Sequence, residues 1–207
     1  MRLRMRSQIV FVLLLAASTV AADERYHNLD VECPHADQRS FLHNSFAYNA
    51  PLQVFTNVVG SFFNDSWYAD SVINETKGKD NVPGAMRSGP SDPEGTAIYN
   101  ETLLEYIYHP DSMLQYSFSG AATSFAAGPS VKATHFHGYA EMMRLQSVCG
   151  GKATYIDLIT WLCSDDQAAA YDIWNSAHLV SFSGIAGSVG ATVMPGDCSV
   201  PKRKCSE

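Results

Sequence analysis

His135 and His137 stand two residues apart in a strand-like stretch, so their rings share a face, and Glu141 falls on the same side. A metal centre needs three or four convergent ligands. On that count the two histidines read as polar residues near a strand start, and neither a metal nor any other cofactor is expected. The chain has no Gly-x-Ser-x-Gly, no His-Glu-x-x-His and no phosphate-cradling glycine loop. Five cysteines are present (Cys33, Cys149, Cys163, Cys198, Cys205), with no paired Cys-x-x-Cys that would suggest zinc. In an oxidising compartment they make two disulfides and leave one thiol, and the same oxidation argues against a catalytic cysteine. Asn64-Asp65-Ser66, Asn74-Glu75-Thr76 and Asn100-Glu101-Thr102 match the N-glycosylation acceptor, which makes Asn64, Asn74 and Asn100 candidate glycan sites.

The N-terminus agrees with export. Arg2, Arg4 and Arg6 precede an apolar run from Ile9 to Ala17 and a small-residue end, Val20-Ala21-Ala22. This is the layout of a secretory signal peptide over residues 1–22; the apolar run is too short to span a bilayer. Removing its three arginines leaves 11 basic residues against 21 acidic ones, a net charge of −10. Such an acidic chain excludes nucleic acid as an expected partner. A secreted, extracellular monomer without stable membrane insertion is expected, and the sequence names no protein partner. With 46% hydrophobic and 17% charged residues, the remainder is globular and long enough for one domain.

The elements that must position these residues alternate in a simple order. Residues 23–39 read as an irregular N-terminal segment. Ser40–Tyr48 reads as a strand, and Pro51 opens a helix with Leu52, Val54, Phe55, Val58, Val59 and Phe62 on its apolar face. Trp67-Tyr68 is expected in a second short helix or turn, Val72-Ile73 in a strand, and Ala85–Ser88 in another. Gly89 to Gly95 is turn chemistry throughout. Strands follow at Thr96–Tyr108 and Met113–Ser119, then a small-residue loop from Gly120 to Pro129.

Lys132–Val148 and Ala153–Cys163 flank Gly150-Gly151, a two-residue hairpin signal. Centring the turn there sets Arg144 opposite Asp157 as an ion pair. It gathers Tyr139, Glu141, Met143 and Leu145 against Leu162, Thr160, Leu158 and Ile156 on a face expected to look inward. Ser164-Asp165-Asp166-Gln167 reads as a capping box for a helix with Ala170, Ile173, Trp174, Ala177 and Val180 or Ser181 buried. Gly184 is the expected helix stop, leaving 184–207 as a glycine-rich tail. A glycan at Asn100 must point outward, so Tyr99, Glu101 and Leu103 point inward on a regular strand.

Val82-Pro83-Gly84-Ala85-Met86-Arg87, Tyr99-Asn100-Glu101-Thr102-Leu103-Leu104-Glu105-Tyr106 and Ala50-Pro51-x-x-Val54-Phe55 together carry a resemblance. In these segments and in the order of its elements, the chain resembles the SRPBCC superfamily of START-like lipid carriers, the birch-pollen allergen, plant hormone receptors and polyketide cyclases. The resemblance covers about residues 40–182, within a domain taken as 40–183. It implies an α+β helix-grip fold: a curved seven-stranded antiparallel sheet around a long C-terminal helix, with two short helices after the first strand. It also implies a cavity between sheet and helix. Arg87 and Glu101 would then meet across adjacent strands, as a structural pair or as ligand contacts. With them, Tyr99, Leu103, Leu114, Tyr116, Phe118, Tyr139, Glu141, Met143 and Trp174 are the expected ligand-binding residues. Gly89-Pro90-Ser91-Asp92-Pro93 sits where the plant receptors carry a mobile loop, although a plain turn is the simpler reading.

The regular hairpin separates Cys149 from Cys163 by roughly 30 Å, at about 3.3 Å per residue, too far for a disulfide. The implied fold instead brings Cys33 to Cys163 and Cys149 to Cys198, leaving Cys205; a Cys198–Cys205 tail loop is the rival. The function the resemblance implies is a carrier of a hydrophobic small molecule such as a lipid, sterol or polyketide. The alternatives are a cyclase- or hydratase-like enzyme working through Glu101 or Tyr139, and a secreted interaction protein that uses only the scaffold's surface.

Overall fold

A computed structural model describes residues 29–69, 71–92, 95–126, 132–196 and 198. The expected signal peptide, Cys205 and part of the 89–95 turn lie outside the described residues. The strands are β1 (Gln38–Tyr48), β2 (Glu75–Lys77), β3 (Met86–Pro90), β4 (Ile98–His109), β5 (Met113–Gly120), β6 (Thr123–Phe125), β7 (Thr134–Val148) and β8 (Ala153–Ser164). The helices are α1 (Leu52–Val59) and α2 (Gln167–Ser188). The strands form one antiparallel sheet in the order β1-β8-β7-β5-β4-β3-β2, with β6 paired to β7. α2 lies against β1, β8 and β7. The chain therefore has a helix-grip fold.

From Gly138 to Val148 the β7–β8 register is the one that the sequence expects, with Tyr139 facing Leu162, Arg144 facing Asp157 and Val148 facing Ala153. A bulge between Phe136 and Gly138 shifts it, so His135 and His137 are exposed instead of sharing the buried side of Glu141. The turn is longer than the two glycines, because Cys149 joins Gly150 and Gly151 in the left-handed region, with φ of 54°, 64° and 85°. Tyr139, Glu141, Met143 and Leu145 are buried with Leu162, Thr160, Leu158 and Ile156. The expected Arg144–Asp157 ion pair does not form; Asp157 accepts instead from His43 of β1, at 2.8 Å. Two-strand reasoning misses this competitor because β1 is the third strand on that face.

Other local expectations are corrected. Residues 61–69 make turns rather than a second helix, since Asp80 and Asn81 capture the N–H groups of Phe63 and Phe62 that a helix would use. Val72-Ile73 is not a strand; pairing begins at Glu75. β3 continues through Gly89-Pro90, and Pro90 can sit there because β2 has already ended at the register of Ser88. Part of the 120–129 loop is the strand β6. Ser164 ends β8, and the cap of α2 is Asp166, which accepts from the Ala169 N–H, an interaction worth about 1 kcal/mol. α2 does not stop at Gly184: Phe182, Ile185 and Ala186 bury one more turn of apolar side chains, enough to outweigh the propensity cost of a helical glycine. Val180 is exposed and Ser181 buried, which decides between those alternatives.

One apolar core fills the sheet's concave face, with Phe55, Val59 and Phe62 from the α1 region and Phe182 and Ile185 from α2. Two disulfides join distant segments, Cys33–Cys163 with Cα atoms 5.4 Å apart and Cys149–Cys198 at 5.1 Å. Cys33 lies just before β1 and Cys163 at the end of β8, which are neighbours in the sheet. After α2 the chain runs back along the end of β1, where Met194 N–H donates to Ala47, and so carries Cys198 to the hairpin tip.

Candidate functional site

Burial alternates along β4: Tyr99, Glu101 and Leu103 are buried, while Ile98, Asn100 and Leu104 are exposed. Glu101 faces Arg87 of β3 in register, and the guanidinium Nε donates to Glu101 Oε2 at 2.6 Å. Arg87 is 3% exposed and is held from every side. Its Nη1 donates to the Phe62 carbonyl at 2.9 Å and lies 3.0 Å from Asp65 Oδ1. Its plane sits over the rings of Phe62 and Phe118, at 4.5 and 5.1 Å from the centroids. Tyr139 completes the group from β7, its hydroxyl donating to Glu101 Oε1 at 2.9 Å. It reaches there by lying across Gly120, where a Cβ would meet the ring at 1.9 Å, so only glycine fits.

Two carboxylates thus share one guanidinium. Burial raises Glu101 to about 7, and the opposing pull of Arg87 does not fully offset it. Asp65 is raised for the same reason, again against the attraction of Arg87. Burial would lower Arg87, but the Glu101 and Asp65 charges beside it win and hold it protonated. Tyr139 is pushed well up, by burial and then by Glu101.

This cluster lies on the wall of a cavity of about 680 Å³ between α2 and the sheet. Of the expected ligand-binding residues, Arg87, Tyr99, Glu101, Phe118, Glu141 and Trp174 line it. Tyr139 does not line it but backs its wall, bonding Glu101 and packing edge-on against Trp174 and Phe125 at 5.2 and 5.8 Å. Leu103, Leu114, Tyr116 and Met143 belong to the packed core instead, each at most 1% exposed. Pro90, Ser91 and Asp92 are at the cavity, and Asp92 bonds the Thr96 and Ala97 N–H groups and the Thr96 hydroxyl. Asn64, Asn74 and Asn100 are all exposed. Among the described residues no group of three His, Cys, Asp or Glu side chains could hold a metal, and no helix is long and apolar enough to cross a membrane.

A second polar network was not anticipated. His178 of α2 is fully buried, its Nε2 lying 3.0 Å from Glu141 Oε2 and its Nδ1 2.6 Å from Asn44 Oδ1 on β1. Asn44 in turn donates to Asn175. Thr160 and Tyr68 also donate to Glu141 Oε2, at 3.3 and 3.5 Å. Helical spacing did carry a signal for His178, which follows Trp174 by four residues and precedes Phe182 by four. Asp65 and Tyr68 had none, because only the observed turns bring 65–68 over the sheet.

An antiparallel sheet gripping a terminal helix, with a part-polar cavity between them, defines a helix-grip protein. Solved structures with similar architecture include the protein XoxI from Bacillus cereus, at 10% identity and TM-score 0.51, covering 72% of this chain and 95% of that one. An uncharacterised protein from Bacillus thuringiensis matches at 10% identity and TM-score 0.50, covering 72% of this chain and 98% of its own. Ara h 8.0201 aligns at 12% identity and TM-score 0.49, covering 73% of this chain and 98% of its own. At such identities the first two likenesses bear on the fold alone. No protein-family model matches the sequence, and no curated protein matches it.

Proposed function

We propose that this is a secreted member of the SRPBCC superfamily that binds a hydrophobic small molecule, such as a lipid, sterol or polyketide, in its internal cavity. The observation that carries this reading is the cavity itself. At about 680 Å³ it falls in the size range of small-molecule sites. Its walls combine Phe118, Phe125, Ile173 and Trp174 with a few fixed polar groups, the usual composition of such sites. Two disulfides and three exposed acceptor asparagines support export and glycosylation. Native mass spectrometry of protein from its own host tests the reading, alongside a thermal-shift panel of lipids, sterols and aromatic polyketides. A stoichiometric co-purified molecule, or a Tm rise with a panel member, is expected. An empty protein with no shift across the panel overturns it.

One observation favours a second reading. Glu101 sits at the cavity with its carboxyl raised to about 7, the range suited to a general acid or base. A cyclase- or hydratase-like enzyme would use it, with Tyr139 as the positioning partner. Turnover of an aromatic polyketide that is lost in Glu101→Gln supports this second reading; binding without turnover leaves the carrier.

A further inference from the structure

We infer that the cavity selects an amphiphile with a cationic, hydrogen-bond-donating head, an alkyl or aryl amine, with Glu141 as its anchor. This rests on the cavity-binding reading above and names its ligand class.

The charges at the wall come first. Asp65, Asp92, Glu101, Glu141 and Asp172 line the cavity, and Arg87 is the one cation among the described lining residues. Arg87 is already committed to Glu101, Asp65 and the Phe62 carbonyl. A fatty-acid carboxylate would therefore meet no uncommitted cation and several like charges. Desolvating it there is unfavourable.

Among the three buried carboxylates at the wall, Asp65, Glu101 and Glu141, the oxygen atoms then single out Glu141. Both oxygens of Glu101 are bonded, one to Arg87 and one to Tyr139. Asp65 Oδ1 has no hydrogen-bond donor but is sealed from the cavity in its ion pair with Arg87, 3.0 Å away, and its Oδ2 accepts from Tyr99 at 3.5 Å. At Glu141, Thr160, His178 and Tyr68 all bond Oε2, and none bonds Oε1. The residue is only 2% exposed, yet it lines the cavity. Glu141 Oε1 is not a buried atom cut off from partners; it keeps access to the cavity, where a ligand donor can bond it. His178, which is not a lining residue, holds the carboxylate from outside the cavity wall. An ammonium supplies three donors, and the aromatic faces of Tyr68, Phe125 and Trp174 line the same space and suit a cation. The apolar body of the ligand then lies along Phe118, Ile173 and Val180.

Three probes of one chain length, dodecylamine, dodecanol and laurate, separate the possibilities by calorimetric titration into the full-length mature protein near pH 7.5. The amine should bind roughly tenfold or more tighter than the alcohol, since a charge-assisted bond replaces a neutral one, with laurate weakest. The acidic protein attracts any cation, so the series is repeated in about 0.5 M NaCl, where exposed charges are screened and a buried one is not. An amine preference that survives salt and shrinks to within about threefold in Glu141→Gln supports the inference. A preference that vanishes in salt overturns it, as does laurate binding as tightly as the amine. If Glu141→Gln does not fold, the head-group and salt series on the unaltered protein still decides. Should none of the three bind while a neutral lipid from the broader panel does, the inference fails and the cavity-binding reading stands. If neither those probes nor the panel binds, both fall.

Discussion

Along β4 the inward residues run Tyr99, Glu101, Leu103; along β7 they run Tyr139, Glu141, Met143, Leu145. In both strands the polar members come first, beside the cavity, and the apolar ones continue into the packed core. At the core end Phe55, Phe62 and Tyr116 interlock with ring centroids 5.5–6.4 Å from their aromatic neighbours, which include Phe118 at the boundary with the cavity. At the cavity end a second aromatic cluster, Phe125, Phe136, Tyr139 and Trp174 at 4.9–5.8 Å, is joined by directional bonds to charged groups, and space is left over. Strand alternation decides which residues face inward. What decides whether inward means packed or open is how far Phe62, α1 and the aromatic cluster reach along the sheet.

This contrast can be tested, beginning with the largest effect. Arg87→Leu leaves Asp65 and Glu101 buried together without their cation. It should cost about 3–5 kcal/mol of stability at pH 8 by denaturant titration, and much of this should return at pH 5 as the carboxyls protonate. An equal loss at both pH values would mean that packing, not charge, holds the cavity end.

The second test needs no mutation to Arg87. Glu101 has its folded pKa raised to about 7 from an ordinary 4.5, so the folded protein holds a proton that the unfolded chain has released. Stability from this group is therefore full below about pH 4.5 and lost as pH rises towards 7, by at most about 3 kcal/mol. Asp65, raised in the same direction, adds to the slope. Glu101→Gln should flatten the curve of Tm against pH; an unchanged slope would remove Glu101 from the account.

Third, Leu103→Trp overfills a core site that is 1% exposed and should destabilise by about 1–3 kcal/mol, with ligand affinity kept in whatever protein folds. The smallest stability change belongs to Ala177→Trp, at a half-buried lining position on α2. It should shift stability by about 0.5 kcal/mol or less while reducing ligand affinity at least tenfold by occupying the space. A reversal of these last two outcomes would move the boundary between core and cavity by one layer of the sheet.

The legibility of the molecule in its sequence follows the same boundary. The inward parity of β4 and the register of β7–β8 were readable because alternation and the glycine turn are local properties. The Arg87–Glu101 encounter, expected from resemblance, needed only that adjacent strands pair. The extent of the cavity was not readable, since it depends on where Phe62 and the turns over 61–69 come to rest, and Asp80 and Asn81 fix those turns from 17–19 residues away. Leu103, Leu114, Tyr116 and Met143, expected at the pocket, share the inward face but are packed in the core and not among the residues that line the cavity. The end of α2 was misplaced because Gly184 and Gly187 argue against a helix locally, while Phe182, Ile185 and Ala186 argue for it through tertiary burial.

The disulfides bear on how anything could enter or leave. α2 follows β8 directly, two residues separating Cys163 from its Asp166 cap, and the strand is tied there to Cys33. Beyond the other end of α2, Cys198 is tied to Cys149 at the hairpin tip. The helix that walls the cavity is thus anchored at both ends to the sheet it covers, and cannot swing aside as a hinged lid. If the cavity holds a ligand as proposed, reducing Cys149–Cys198 frees one anchor, and the ligand should exchange faster at little change in Kd, which dissociation kinetics with and without reductant would measure.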